Sequence, residues 1–343
     1  MKFLKLSCIF LLTVWSASAQ IDSTKTDKDN INFDEFVSAD GEASKVYCNQ
    51  KIAYLSPYRF ISLGFENIFP SSISSVSNPE TTNSNTTNNT INNFGGLRFA
   101  LNTPVISKNN ITVSLGANVW NSNIVLEDMT TDDFNKSITQ LNSMGLNATI
   151  FKPFNEKNFA IFQLSGDING NYTNFSAING KGFTFSGTAI YGWKRNDNFM
   201  WGLGVSRTYR AGALIHIPVV LYNRTFNKTW GIETVFPAKL NIRRNFSPTS
   251  LLMLGYEIEG NSYHIATSGG SELYLRRGEL KPRLSYEQKL NGFIWLAVQS
   301  GVRFDWRFDA YDVKNTSDSE KLLVANTLGN ALYFNVSLNF VNP

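Results

Sequence analysis

Cysteine is almost missing from this chain: two residues in 343, Cys8 and Cys48. That excludes a disulfide scaffold. Histidine is as scarce, with only His216 and His264. A metal centre needs three or four converging His, Cys or carboxylate ligands, and no such spacing occurs, so no metal or other cofactor is expected. Charge is sparse at 17% of residues and nearly balanced, 31 basic against 27 acidic for a net +4, far from the basic surface of a nucleic-acid binder. With 24 Gly and 10 Pro the chain is neither collagenous nor Pro-rich. Glycine pairs such as Gly202/Gly204 and Gly269/Gly270 lack the strand–turn–helix setting of a nucleotide site. An aromatic content of 13% excludes general disorder.

Long apolar runs are absent as well. The exception to look for is at the start, where residues 1–19 read MKFLKLSCIFLLTVWSASA. Lys2 and Lys5 precede a short apolar core, and Ala17-Ser18-Ala19 offers small residues for cleavage after Ala19. This is the pattern of an export signal peptide. Its core of roughly nine to eleven residues falls short of the ~20 of a spanning helix, and no later stretch approaches that length. Residues 20–43 are polar and acidic and read as a flexible leader. Residues 44–343 remain as one domain.

Within that domain apolar and polar residues alternate with period 2, the mark of strands with two unlike faces. In ALYFNVSLNFV, Leu332, Phe334, Val336, Leu338 and Phe340 share one face; Tyr333, Asn335, Ser337 and Asn339 share the other. About thirteen such segments follow one another from residue 58, many of ten residues or more, where globular strands run to five or six. Splitting 229–245 at Phe236-Pro237-Ala238, because proline is disfavoured inside a ladder, gives about fourteen. The linkers at 70–93, 127–138, 260–271 and 311–330 read as long loops, alternating with short turns. Only 130–140 offers a weak helix. The low-complexity stretch 71–93 reads as an external loop.

Strands of this length suit a transmembrane antiparallel up-and-down β-barrel of about fourteen strands, with twelve as the alternative. Aromatics near segment ends would form interfacial girdles: Tyr58, Trp193, Phe199, Trp201, Tyr222, Trp230, Trp295 and Trp306. The last strand, closing on Asn339-Phe340-Val341, approaches the aromatic-ended strand that barrel-assembly machinery recognises. The partners implied are outer-membrane lipid and that machinery. Charges fall on the polar faces in mixed-sign ladders: Glu257 and Glu259; Arg277, Glu279, Lys281 and Arg283; Arg303, Asp305, Arg307 and Asp309. A charge on the lipid side would cost ~2–4 kcal/mol at mid-membrane. These ten residues are therefore the candidate lining of the lumen.

KIAYLSPYRFISLGFE (51–66) and IPVVLYNRTFNKTWGIETVFPAKLNIRRNFSPTSLLMLGYEIEGNSYHI (217–265), with Pro218, Trp230 and Pro237 punctuating adjacent strands, carry a resemblance. The chain resembles outer-membrane β-barrel proteins of Bacteroidota in the style of the DUF6268 family. The family lends no activity, so the resemblance assigns no functional residue.

The architecture implies an outer-membrane barrel that passes or binds small polar solutes or ions through a charge-laddered lumen. The rivals are a structural barrel with a plugged lumen and a barrel hydrolase, the latter resting on His264 in an expected loop two residues from Ser262. No enzyme is expected, because a loop Ser–His pair is common by chance.

Overall fold

The computed structural model describes residues 46–341 apart from 129–132, 175–176, 268 and 316–319. The expected signal peptide and leader lie outside the described residues. The strands, in chain order, are β1 (Arg59–Ile68), β2 (Ser71–Ser77), β3 (Asn85–Lys108), β4 (Ile111–Leu126), β5 (Asn142–Pro153), β6 (Asn158–Gly170), β7 (Phe183–Asn196) and β8 (Phe199–Thr208). They continue as β9 (Ile215–Thr225), β10 (Trp230–Phe236), β11 (Lys239–Ser247), β12 (Ser250–Ala266), β13 (Glu272–Asn291), β14 (Ile294–Tyr311), β15 (Leu322–Leu328) and β16 (Ala331–Val341). One short helix, α1 (Asp133–Ser137), falls within the weak helical stretch. No described helix is long and apolar enough to cross a membrane, which says nothing of strands.

Neighbours in sequence pair antiparallel around the sheet, and β1 closes it by pairing with both β16 and β3. The result is a closed 14-strand antiparallel β-barrel. β2 and β15 are not additional staves. The register of β1 on β16 continues unchanged into β2 on β15, so β1/β2 and β15/β16 are two long staves, each interrupted at the same height. Pro70, which has no N–H for the ladder, marks one break; Gly329 and Asn330 mark the other. The break between β10 and β11 falls at Pro237, as the proline predicts.

Three expected loops are shorter than the composition implied. The 70–93 linker holds β2 and the start of β3, leaving 78–84 as the turn. Its Ser, Thr and Asn hide a strand because few positions there are apolar, among them the inward Ile73 and Ile91. β12 runs on to Ala266, so only 267–271 connects it to β13, and β15 occupies much of 311–330.

Alternation divides the wall as a strand requires. Leu63, Leu97, Leu146, Val205, Leu254, Leu284 and Leu338 are exposed on the outside. Around the end with the short turns the outside carries aromatics: Trp193 stacks on Trp201 at 4.6 Å, Phe199 meets Tyr222 at 5.2 Å, and Phe293 meets Phe340 at 5.7 Å. Trp295 departs from the expected girdle. It points inward and is buried with Leu251, Met253 and Val341.

Inside, two apolar clusters stand apart. One fills the end with the long connections, where Ile68, Phe94, Ile124, Tyr263, Leu275 and Phe308 pack with Phe134 and Ile138 from α1 and its end. The other fills the turn end of the opposite wall. There Phe151, Phe159, Ile190, Met200, Val219 and Leu221 hold Cys48 and Ile52 from the segment before β1.

Truncating Phe94 tests the first cluster. Phe94→Ala, fully buried, is expected to lower stability by about 3–5 kcal/mol in chemical denaturation of the detergent-solubilised barrel. Phe99→Ala, outward on the same strand, is expected to lower it far less.

Candidate functional site in the barrel interior

Between the two apolar clusters the inward side chains are charged on one side of the barrel and neutral on the other. On β13, Arg277, Glu279, Lys281 and Arg283 alternate with outward residues, so four charges stand in one inward column. Lys281 Nζ reaches Glu66 at 2.8 Å, Glu259 at 2.9 Å and Glu279 at 3.1 Å. Arg277 pairs with Glu279 at 2.7 Å, Arg283 with Glu257 at 2.5 Å, and Arg303 with Asp305 at 2.7 Å. Each buried charge thus has an opposite neighbour, as desolvation demands.

Arg98 turns this column into a bridge. It projects from β3, and its Nη2 lies 2.9 Å from Glu66 on β1 and 2.8 Å from Glu259 on β12. β3 and β12 are not neighbours in the sheet. The Arg98–Glu259 pair is therefore a chord across the interior. Aromatic faces hold the same cations in addition to carboxylates: Arg98 lies over Trp120 at 4.2 Å, Lys281 over Tyr333 at 5.2 Å, and Arg277 and Arg303 over Phe94 at 4.7 and 5.5 Å.

The two sides of the chord differ. Towards β13 the side chains of Lys281 and Glu279 are 1% and 0% exposed. Arg98 and Glu259 are 29% and 23% exposed, and Glu257 also 23%. The inner faces of β4–β7 opposite carry Asn118, Asn147, Thr149, Gln163, Ser165, Asp167, Ser186 and Thr188, none of them buried. Asp167 accepts from Asn118 at 3.1 Å, and Thr188 and Ser206 share a hydrogen bond of 2.7 Å.

The segment before β1 crosses the turn end of this neutral side. Lys194 donates to Asn49 Oδ1 at 2.7 Å and to the Lys51 carbonyl at 2.8 Å. Thr225 donates to the Ala53 carbonyl at 2.7 Å. Ser56 donates its N–H and its hydroxyl to Glu233, at 2.9 and 2.5 Å, and Glu233 also pairs with buried Arg243 at 3.1 Å. Cys48 donates to the Asn158 carbonyl at 3.6 Å, and burial pushes its thiol up.

Eight of the ten sequence-selected residues stand on the inward face: Glu257, Glu259, Arg277, Glu279, Lys281, Arg283, Arg303 and Asp305. Arg307 and Asp309 do not. The register of β13 on β14 shifts between Gly278 and Glu279, so Asp305 faces Glu279 while Arg307 faces Gly278 and Asp309 faces Arg276. One extra residue reverses the alternation. Phe308, expected on the outer face, turns in and is buried, and Arg307 and Asp309 turn out. Out there Arg276 pairs with Glu320 at 2.9 Å, and Asp309 accepts from the Asn326 N–H at 3.0 Å.

The residues that complete the site are Glu66, Arg98, Asp167 and Glu233, isolated charges in largely apolar or neutral strands, and Arg243, which stands beside Arg244 on β11. Each occupies an inward position of its strand, which was the available signal. His264 is not in a loop. It lies buried on the outer side of β12, with Nε2 at 3.6 Å from Glu272 and its ring 5.6 Å from Tyr274. His216 faces out from β9, opposite Arg207. Among the described residues no three His, Cys, Asp or Glu side chains gather to hold a metal ion.

The hub should be fragile to one change and tolerant of two. Lys281→Met removes the one cation shared by Glu66, Glu259 and Glu279, leaving Arg98 and Arg277 to balance three buried carboxylates, and is expected to lower stability by about 3–5 kcal/mol. In a double-mutant cycle with Glu279→Gln, denaturation should show less than additive loss, by about 0.5–3 kcal/mol.

The chain is similar in structure to several solved barrels. The COG4313 outer membrane channel from Pseudomonas putida F1 is 12% identical with a TM-score of 0.40, covering 84% of this chain and 98% of that one. A FadL homologue of Pseudomonas aeruginosa is 9% identical at 0.39, covering 82% and 90%. The toluene transporter TodX of P. putida is 10% identical at 0.33, covering 82% and 90%. No curated protein matches the chain. The family described as "Domain of unknown function (DUF6268)" matches residues 66–341, which spans nearly the whole closed wall from the end of β1 to the end of β16, and the chain belongs to it.

Proposed function

We propose that this protein is an exported outer-membrane β-barrel that conducts small polar solutes or ions through its interior. One observation carries the reading. The Arg98–Glu259 chord leaves a space on its β4–β7 side whose wall is amide, hydroxyl and a few charges, all partly exposed, inside a barrel whose outer face is apolar. Polar side chains inside and apolar ones outside is the partition of an aqueous pore in lipid. Glu257, Glu259 and Arg98 present their exposed edges to that space, where paired charges of both signs select among ions and polar solutes. The compact column behind the chord, from Arg277 to Arg303, serves as its scaffold. The signal peptide ending at Ala19 supplies the route of export. The amphipathic strand β16 is the segment that barrel-assembly machinery would read.

A second reading is a closed, structural barrel. The segment 46–58, held inside the turn end through Lys194, Thr225 and Glu233, favours it. Planar-bilayer recording of the purified protein separates the two. Stepwise conductance is expected, with Glu259→Gln shifting the reversal potential towards anion preference, because Arg98 and Lys281 then lose a shared carboxylate. Lys194→Met, which frees Asn49 and the Lys51 carbonyl, is expected to lengthen the open time. Steps absent from wild type and from Lys194→Met alike would leave the structural barrel standing.

A further inference from the structure

Near the short turns, the outer face carries two arginines set in one pattern. Arg224-Thr225-Phe226 closes β9, and Arg244-Asn245-Phe246 lies near the end of β11. Each arginine therefore shares the outer face with a phenylalanine two residues on. Across the ladder each is also the direct partner of a second aromatic residue, Arg224 of Phe199 on β8 and Arg244 of Trp230 on β10. The guanidinium carbon of Arg224 lies 5.4 Å from the centre of the Phe199 ring and 5.2 Å from that of Phe226. That of Arg244 lies 5.3 Å from Trp230 and 5.1 Å from Phe246. Ring faces attract a cation, so each guanidinium is held in a frame of two rings.

Neither cation has an anion. Both are exposed, and among the described residues no carboxylate pairs with either. Glu233 is the only acid from Phe199 to Tyr256, and it turns inward to Arg243. Arg224 makes one long hydrogen bond, 3.5 Å to the Tyr222 hydroxyl. Lys228, exposed in the turn between β9 and β10, adds a third cation to the same rim. The rings accept none of the guanidinium hydrogen bonds in the plane of its fork, so that edge stays available to an outside acceptor.

The arginines stand at a boundary. Two residues further into the wall from Arg244 the outer face is Ile242 with its cross-strand partner Leu254, 41% and 58% exposed. In the other direction lie exposed Phe246 and the turn. A charge is costly at mid-membrane and nearly free at such an edge, where its stem lies along apolar surface and its head meets the interface. Aromatic residues at this rim do not require the cations. Phe293 and Phe340, on another part of the wall, meet ring to ring at 5.7 Å, and among the described residues no guanidinium lies over them.

We propose that Arg224 and Arg244, with Lys228, form a binding site for anionic phospholipid headgroups on the outer wall of β8–β11. A phosphodiester takes two N–H groups of one guanidinium side by side, while the first methylenes of the lipid lie against the framing rings. An ethanolamine headgroup fits less well, because its ammonium meets three cations and no acid. A glycerol headgroup keeps a net negative charge for the site to match. Short turns face the periplasm in outer-membrane barrels, so the lipid comes from that leaflet. The site needs the barrel to sit in a membrane and does not need its interior to conduct.

Native mass spectrometry of the detergent-solubilised full chain gives the test. Dioleoyl phosphatidylglycerol and dioleoyl phosphatidylethanolamine are added to the micelles in equal amounts, and the lipid retained on each barrel is counted. The intact protein is expected to retain phosphatidylglycerol in preference, one per arginine. Arg224→Gln and Arg244→Gln should each lower that preference about fivefold, the worth of one cation at a lipid surface, and the double variant should abolish it. Arg244→Lys, which keeps the charge and loses the fork, should fall between. Lys108→Gln, which removes an exposed cation from the end of β3 on the same rim, should change nothing. Equal retention of the two lipids by the intact protein overturns the site, as does an equal loss with Lys108→Gln, which marks diffuse charge. Displacement of the lipid by an equal amount of glycerol 3-phosphate also overturns it, because a soluble phosphate would then serve as well. None of these counts depends on conductance, so loss of the lipid site and loss of the channel reading are separate results.

Discussion

A closed wall one strand thick allows each residue only two environments, and everything else in this structure follows from that constraint. An inward side chain cannot retreat to a second layer, so it must be matched by whatever projects from the other side of the barrel. Apolar residues satisfy this at the two ends, where Phe94 and Phe308 fill one region and Phe151 and Phe159 the other. Charges satisfy it in the middle only because each has a partner of opposite sign. Lys281 stands between three carboxylates, one on its own strand, one on the neighbouring β12 and one, Glu66, on β1, which is not its neighbour. A lone buried ion there would be heavily penalised, whereas the connected set sits at low cost and fixes which strands face one another. The cation faces laid on Trp120, Tyr333 and Phe94 extend the same solution to the boundary with the apolar cluster.

The chord also explains why the interior is uneven. Once Arg98 on β3 is tied to Glu259 on β12, the arc of β13, β14, β16 and β1 behind it can be filled by short polar side chains such as Ser285, Ser337 and Asn339, all buried. The space in front cannot close in the same way, because Asn118, Asn147, Ser165 and Ser186 are too short to meet across the wider arc of β4–β11. Asymmetry of filling is thus a result of where one arginine reaches, and the segment 46–58 partly compensates by entering from the turn end.

How much of this was legible depended on whether a local pattern or a distant partner decided the outcome. The closed antiparallel wall was legible because period 2 survives over most of the wall: β16 buries Tyr333, Asn335, Ser337 and Asn339 and turns the intervening apolar residues out. Proline at 237 fixed the count of staves through a missing donor. Strand ends were less legible, because the outer face of β2 and of the start of β3 is mostly Ser, Thr and Asn, so these stretches look like a polar loop. The bulge that turns Arg307 and Asp309 outward leaves no local trace in the sequence, since a single inserted residue preserves composition and destroys only phase. Glu66 and Arg98 were passed over for the opposite reason. Each is a solitary charge, and its significance lies in a partner a long way off in the chain.

The same constraint links the short hairpin of β10 and β11 to the connection from β8 to β9. A barrel that ends β10 and β11 early cannot leave the edges of β9 and β12 bare, and side chains alone do not replace a missing ladder. The Arg210 guanidinium takes the Ile258 carbonyl, the Asn171 amide takes the Ala266 carbonyl, and between them residues 209–214 cover the facing glycines Gly260 and Gly278. A continuous hydrogen-bonded stave would have sealed the wall more firmly with no more residues than that connection and the hairpin already use. The chain instead closes this one stretch with a few bonds and a flat glycine seat.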